Sequence, residues 1–441
     1  MLTLRPYQTD CVEAGLRFFK NDKVQKPKII VAPTAAGKSI IIAAIAANLP
    51  GNVLVLQPSL ELLEQNFGKY MMYESNATIY SASAGKKEIG KVTFATIGSI
   101  VSVASFFNEF TALIIDEAHL YPPGQESMFG KFLKENPQLK ILGLTATPFR
   151  LKSSQELGSK LVMMHNSNIY NGYAHIIQIQ EISKDFWCPL QYVKEETDES
   201  VLVVNSTGAE YTDSSLVRYG LSINERIFEA VKNYEDKPKI VFVPSVEQAE
   251  SLARATDSAF VCATTPKKER KQIISDFKAG RINTVFNVNV LSVGFDYPEL
   301  EVIVDACPTM SLARHYQKVG RLTRPHPNKA VGIVVDLSGN TDKFGRVEDI
   351  ELRKIGTTHH IFSGEKQLSG VYFGDIIAKQ PRQYTPKTFH DMEITFGKFK
   401  GSKISEVPSW YLSWAMDNIT WNRDLTGNIR LFLDNQKQVS K

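Results

Sequence analysis

Residues 28–47 read KIIVAPTAAGKSIIIAAIAA, an apolar run, a short turn ending in Gly37-Lys38-Ser39, and a second apolar run of helix formers. The first run, Lys28–Ala32, has the β-branched content of a buried strand, and the second has the alanine and isoleucine content of a buried helix. Five residues and then Gly-Lys-Ser between a strand and a helix is the layout of a phosphate-binding loop. Pro33, Thr34, Ala35, Ala36 and Gly37 would line the phosphates, with the backbone N–H groups of Thr34 to Gly37 facing them at a helix N-terminus. Lys38 would neutralise β/γ charge and Ser39 would offer an oxygen to Mg2+, so ATP and Mg2+ are the expected ligands. Ala32 and Ala35 stand where such loops usually carry glycine, which restricts the loop to conformations an L-residue tolerates.

Downstream, Ala112–Ile115 reads as a strand that ends in Asp116-Glu117-Ala118-His119. Open α/β sheets place ligand-binding groups at the C-terminal ends of strands. There Asp116 can hold Mg2+ through water and Glu117 can orient and deprotonate an attacking water. The competing reading, an acidic surface loop after a core strand, weakens once a phosphate loop lies upstream.

Further short apolar runs surround these two. Asn52–Gln57, Lys91–Ala95 and Lys140–Leu144 complete a first strand series, with helical patterns between them. A second series holds Ile240–Val243, Ala259–Cys262, Thr284–Asn287, Val302–Val304 and Gly332–Val335. Alternating strands and helices imply parallel sheets. The expected fold is therefore α/β, two tandem parallel-sheet lobes at residues 1–180 and 189–345. Residues 150–188 read as their connection and 346–388 as a linker or arm. A small, mainly helical, basic and aromatic-rich module follows at 389–441.

Bulk properties bound the reading without deciding it. The chain has 441 residues, 43% hydrophobic and 22% charged, which suits large buried cores. Its four cysteines form no C-x-x-C pair, so neither a zinc site nor a disulfide framework is expected, and a reducing cytosol fits. MLTLRPYQTD at the start has no apolar stretch of the signal-peptide kind, and no apolar run approaches the ~20 residues of a membrane span. The net charge is only +4, and the stretch from Lys379 to Lys441 carries 10 Lys and Arg against 6 Asp and Glu, the whole excess. A basic local surface suits phosphate contact.

The ordered motifs resemble those of superfamily 2 helicases over residues 2 to about 345, which implies two RecA-like lobes. Leu4-Arg5-Pro6-Tyr7-Gln8 is similar to the Q-motif region of the branch holding type III restriction and phage UvsW-like enzymes. The resemblance implies Gln8 at the adenine edge and Arg5 against the base. It implies nucleic-acid backbone contacts at Pro58 and Thr96, and later at Ser245 and Thr264. Leu144-Thr145-Ala146-Thr147-Pro148 resembles motif III, giving Thr145 and Thr147, with His119 and Gln317, a coupling role. Gly294 and Asp296 in a motif V-like stretch would face the nucleotide, and Arg321 and Arg324 in a motif VI-like stretch would be arginine fingers. Lys318, where several relatives carry Arg, is given no catalytic role.

The tail contains Phe396-Gly-Lys398-Phe-Lys400-Gly401 and Trp410-Tyr-Leu-Ser-Trp414, similar to a small module found beside phage and bacterial nucleic-acid enzymes. Lys398, Lys400 and Lys403 are expected to grip phosphates. Trp410, Trp414 and Trp421 read first as the packed core of a very small domain, and otherwise as a base-stacking surface. His359 and His360 read as solvent-exposed. The function expected is ATP-dependent DNA unwinding or translocation, on branched DNA in replication, recombination or repair, with DNA ranked ahead of RNA. A duplex-translocating restriction-type motor, an RNA helicase and an ATP-controlled clamp are the alternatives. No stable protein partner is evident.

Overall fold

The structure is a computed structural model. It describes residues 3–23, 26–121, 124–154, 158–165, 167, 169–291, 295–373, 393–394, 399–418, 429 and 432–433. Strands in chain order are β1 Lys28–Val31, β2 Asn52–Gln57, β3 Ala77–Ser81, β4 Lys86–Lys87, β5 Val92–Thr96, β6 Phe110–Ile115 and β7 Lys140–Thr145. They continue as β8 Phe149–Ser154, β9 Gly158–Met163, β10 Tyr173–Ile176, β11 Leu190–Lys194, β12 Lys239–Phe242, β13 Ala259–Val261 and β14 Thr284–Asn287. The last are β15 Val302–Asp305, β16 Gly332–Asp336, β17 Ile350–Ile355, β18 Thr358–Ser363, β19 Lys366–Gln367 and β20 Tyr372–Phe373.

β1 to β7 with β10 form one sheet in the order β10-β1-β7-β6-β2-β5-β3-β4, parallel except for the edge hairpin β3–β4. Both faces are covered. Val53, Val55, Ala112 and Ile114 pack into the core on one side, and Leu54, Leu56, Leu113 and Ile115 into the core on the other. This two-sided burial is why these strands read as unbroken apolar runs. A second sheet, β11-β16-β15-β12-β14-β13, is wholly parallel. Two parallel-sheet lobes of the RecA-like kind are thus present.

Two stretches differ from expectation. Residues 150–188 are more than a connection, because β10 adds itself to the first sheet beside β1, pairing Ile29 with Tyr173 and Val31 with Ile176. Its sequence, Tyr-Ala-His-Ile, is half-buried at an edge, so it lacks the apolar run that marks a central strand. Within the expected linker, β17, β18 and β19 form an antiparallel sheet, turning at Gly356 and Gly364, both at positive φ. Gln178 clamps it to the first lobe, donating to Leu352 O at 2.8 Å and accepting from Leu352 N at 3.2 Å. His359 and His360 are consequently half-buried rather than exposed, and His359 packs against His165 and Tyr173.

The chain divides into two compact units, Met1–Gly374 and Asp375–Lys441. In the second, Ile394, Ile404, Val407, Tyr411, Leu412, Ala415, Ile429 and Phe432 form the core. The helix Ser409–Asn418 supplies Tyr411, Leu412 and Ala415 to it. Trp410 and Trp414 fall on another stripe of that helix and are 66% and 50% exposed, which corrects their reading as core. Trp421 and Lys398 lie outside the described residues.

Candidate active site

Ordering the strands orders the motifs. Along the C-terminal edge of the first sheet, the loop after β1 comes first, then the end of β7, then that of β6, then β2 and β5. The phosphate loop, Thr145, Asp116, Pro58 and Thr96 therefore stand in one row. Gly37 begins the helix Lys38–Ala47 at φ 80°, and Ala35 lies at φ 60°. Ala35 thus takes the left-handed conformation that glycine would adopt with less strain.

Asp116 is buried at the end of β6. Its Oδ2 accepts from Asn66 Nδ2 at 2.8 Å and its Oδ1 from the Glu117 N–H at 2.9 Å. Burial, with the Glu117 charge beside it, pushes its pKa up to about 6. Glu117 sits in the left-handed region, φ 46° and ψ 50°, which turns its side chain back toward the loop. Its Oε1 is 3.1 Å from Lys38 Nζ. Burial acts to raise its pKa, but Lys38 and His119 outweigh that and hold the carboxyl below its ordinary value.

His119 joins the lobes. Its Nδ1 is 2.9 Å from Thr145 Oγ1, which also accepts the Thr147 N–H at 3.0 Å. Its Nε2 is 3.4 Å from Gln317 Nε2 in the second lobe. Burial lowers its pKa, so the ring is neutral, and the partners assign the proton to Nδ1 with Nε2 accepting from Gln317.

Across the cleft, the helix Leu312–Val319 carries Gln317 and leads into Arg321 and Arg324. Arg321 Nη1 donates to Phe295 O at 2.5 Å, and Arg324 Nε lies 3.1 Å from Asp296 Oδ1. Burial, then the neighbouring Arg324 charge, brings the Arg321 pKa down to about 9. One open cleft is lined by Arg5, Lys38, Ser39, Asp116, Glu117, Asp296, Arg321 and Arg324 together. Gly294 lies outside the described residues. The Gln8 amide accepts from Arg5 N and donates to Ala36 O of the phosphate loop, both at 2.9 Å. Arg5 lines the cleft, its guanidinium 4.4 Å from the centre of the Phe186 ring.

Sequence reading missed two residues here. Asn66, on the helix Leu60–Tyr70, fixes Asp116. Tyr316 crosses between lobes, its hydroxyl accepting from Thr34 N at 3.1 Å and lying 3.2 Å from Thr34 Oγ1. Tyr316 stands next to Gln317, but its aromatic character alone reads as core. Lys318 is buried and pairs with Asp305 at 2.7 Å within its own lobe.

The expected nucleic-acid contacts are more dispersed. Thr96 Oγ1 is 2.9 Å from Ser99 Oγ at the end of β5, and Pro58 is half-buried after β2. Ser245 is buried and caps the helix Val246–Ala255, accepting from Gln248 N. Thr264 is exposed, its Oγ1 3.1 Å from Cys262 Sγ. Lys400 and Lys403 are exposed in the second unit. Among the described residues no helix is long and apolar enough to cross a membrane, and no His, Cys, Asp and Glu cluster of metal-binding kind occurs.

Comparison with known proteins agrees with two RecA-like lobes. Residues 1–150 match the family described as type III restriction enzyme, res subunit, and residues 222–326 match the helicase conserved C-terminal domain. A 51.5 kDa protein of a Lactococcus phage is 27% identical over 323 residues, covering 70% of this chain and 65% of that protein. The DNA 3'-5' translocase XPB2 of Sulfurisphaera tokodaii is 23% identical over 378 residues, covering 77% and 83%. A solved type ISP restriction-modification enzyme, LlaBIII, bound to DNA, shares the fold with a TM-score of 0.59 at 18% identity. That likeness covers 76% of this chain and 28% of the enzyme. Two helicase domain families in series, laid on two RecA-like lobes that share one cleft, support a superfamily 2 helicase of the type III restriction and XPB-like branch.

Proposed function

We propose that the chain is a nucleic-acid-stimulated ATPase that couples hydrolysis to movement along DNA, and that branched DNA is its substrate. One observation carries the reading: the groups that bind and cleave a phosphoanhydride are divided between two lobes and face one cleft. Mg2+ fits Ser39 and Asp116. Both line the cleft, Asp116 as a buried carboxylate, and Glu117 Oε2 is buried with no hydrogen-bond partner among the described residues, 3.5 Å from His119 Nδ1. When bound, Mg2+ would neutralise charge on the β- and γ-phosphates.

The chain's own groups do the rest. Backbone N–H groups from Thr34 to Gly37 and the Lys38 ammonium hold the phosphates, and Pro33, which has no N–H, shapes the turn. Lys38 then leaves Glu117, whose carboxylate orients the attacking water and takes its proton. Arg321 and Arg324 stabilise charge as the γ-phosphoryl departs, so hydrolysis requires both lobes together. His119, Thr145, Thr147 and Gln317 report that approach to the strand-binding edge at Pro58 and Thr96. Contacts to the backbone make the grip largely sequence-independent and salt-sensitive. A second reading is a restriction-type motor that translocates on duplex DNA; the name of one relative, a DNA translocase, favours translocation.

Glu117→Gln is expected to bind ATP while hydrolysing it at least about a hundredfold more slowly, by loss of the base. Lys38→Ala should lower both. ATPase and unwinding rates on single strands, duplex, forks, four-way junctions and RNA then rank the substrates. Normal stimulated hydrolysis in Glu117→Gln would overturn the site assignment, and equal rates on forks and plain duplex would overturn the branched-DNA reading.

A further inference from the structure

Large indoles are seldom left in water without a use, since each carries one of the largest apolar surfaces available to a side chain. Trp410 and Trp414 stand four residues apart on the helix Ser409–Asn418, one turn from each other, and both are more exposed than buried or evenly divided, at 66% and 50%. Ser413 between them is exposed as well. The hydrophobic core of the unit is filled from a different stripe, by Tyr411, Leu412 and Ala415 with Ile394, Ile404 and Val407. The two indoles therefore are not needed to complete that core.

Ring contacts place a basic turn beside them. Tyr411 stands 5.9 Å from Trp410 and 5.5 Å from Trp414, centroid to centroid, and Phe399 packs edge-on against Tyr411 at 4.7 Å. Phe399 is followed directly by exposed Lys400 and by Gly401, whose φ of 86° makes the turn. Lys403, also exposed, closes that turn through its bridge to Glu393. The result is two exposed indoles flanking the Tyr411 ring, at 89° and 39° to it, with a turn that carries two exposed lysines packed beside that ring through Phe399. Such a pairing of ring faces with cations accepts unpaired bases and their phosphates, whatever the base.

We propose that Trp410 and Trp414 form a stacking platform for single-stranded nucleic acid, with Lys400 and Lys403 holding the adjoining phosphates. This rests on the reading of the chain as a nucleic-acid motor and names a second grip, outside the ATP cleft. A platform of this kind would hold a displaced or unpaired arm, the feature that distinguishes a fork from a plain duplex.

The test uses the full chain and a thymidine 20-mer, with a second 20-mer that has the same backbone but abasic sites. Fluorescence anisotropy reads affinity without nucleotide. Trp410→Ala/Trp414→Ala is expected to weaken binding of the thymidine strand about tenfold, one to two stacked bases' worth, and to leave binding of the abasic strand unchanged. Wild-type protein should prefer the thymidine strand by the same factor, and Trp410→Phe/Trp414→Phe should recover most of it. Lys400→Ala/Lys403→Ala should instead flatten the salt dependence on both strands. Basal ATP hydrolysis should be unchanged in Trp410→Ala/Trp414→Ala, because every residue lining the cleft belongs to the first unit. Equal affinity of wild type and the double alanine variant for the thymidine strand would overturn the platform. So would a loss of self-association, read by sedimentation, with strand binding intact, which would make the indoles an interface between copies. If ATP hydrolysis is not stimulated by DNA while the thymidine preference stands, the motor reading fails and the platform does not.

Discussion

Lys38 and Glu117 hold each other at 3.1 Å on the first lobe, and Arg324 holds Asp296 at the same distance on the second. Lys38, Glu117 and Arg324 are thus parked on partners of opposite sign, which lowers the cost of keeping them away from bulk water, whereas Arg321 rests on the Phe295 carbonyl. Tyr316 adds a neutral tie, its hydroxyl accepting the Thr34 N–H of the phosphate loop from the other lobe. Tyr316→Phe keeps the ring and removes that acceptor, a change of about 1 kcal/mol. Turnover is expected to fall about fivefold with a smaller change in ATP KM, because the bond acts on lobe approach rather than on the nucleotide. Steady-state kinetics with saturating DNA checks it, and unchanged kcat would place the tie outside the catalytic cycle. Arg321→Ala should behave more severely, lowering kcat at least about a hundredfold, since a finger acts on transition-state charge. A large loss of ATP affinity with normal turnover would show ground-state binding instead.

At the scale of the element, the sheet of β17, β18 and β19 is pinned to the first lobe through Gln178 and through His165. Tyr173 Oη is 3.1 Å from His165 Nδ1, and the His359 N–H donates to His165 Nε2 at 3.4 Å. A neutral ring satisfies both, whereas a proton on Nε2 would oppose the His359 N–H. Burial, and then the charges of His359 and His360, bring the His165 pKa down to about 4. Between about pH 4 and 6.5 the unfolded chain binds a proton that the folded chain refuses, so this contribution is full above 6.5 and declines as pH falls. The group is worth up to about 2 kcal/mol between pH 7 and 5. Thermal melts of the wild type and His165→Gln at those two pH values check this. The wild type should lose more stability on acidification, and parallel losses would show that His165 does not report the pinning of the sheet.

At the scale of the molecule, Met1–Gly374 and Asp375–Lys441 are separate compact units, and every group of the ATP cleft lies in the first. A chain stopped after Gly374 is therefore expected to hydrolyse ATP and to bind DNA more weakly. Its slope of log affinity against log salt should be shallower by about 0.7–0.9 for each phosphate contact removed. Titration of fork and single-strand DNA at several salt concentrations reads both. An unchanged slope and an unchanged preference for forks would remove the second unit from DNA recognition.

The parallel lobes and the residues that line the cleft were legible because both are written locally. A strand buried on two faces must be an apolar run, and a phosphate loop needs Gly37, Lys38 and Ser39 in one turn, so neither depends on distant residues. What depends on packing was not legible. β10 and the β17–β19 sheet lie at half-buried edges where polar residues alternate with apolar ones, and their partners are 144 and 174 positions away, as in Ile29 with Tyr173 and Gln178 with Leu352. Asn66 and Tyr316 are ordinary helix residues until the fold brings them to Asp116 and Thr34. The two tryptophans show the same limit most plainly. Their spacing fixes that they share a helix face, but which face turns inward is decided by Ile394, Ile404 and Phe432, residues brought to the helix only when the unit closes.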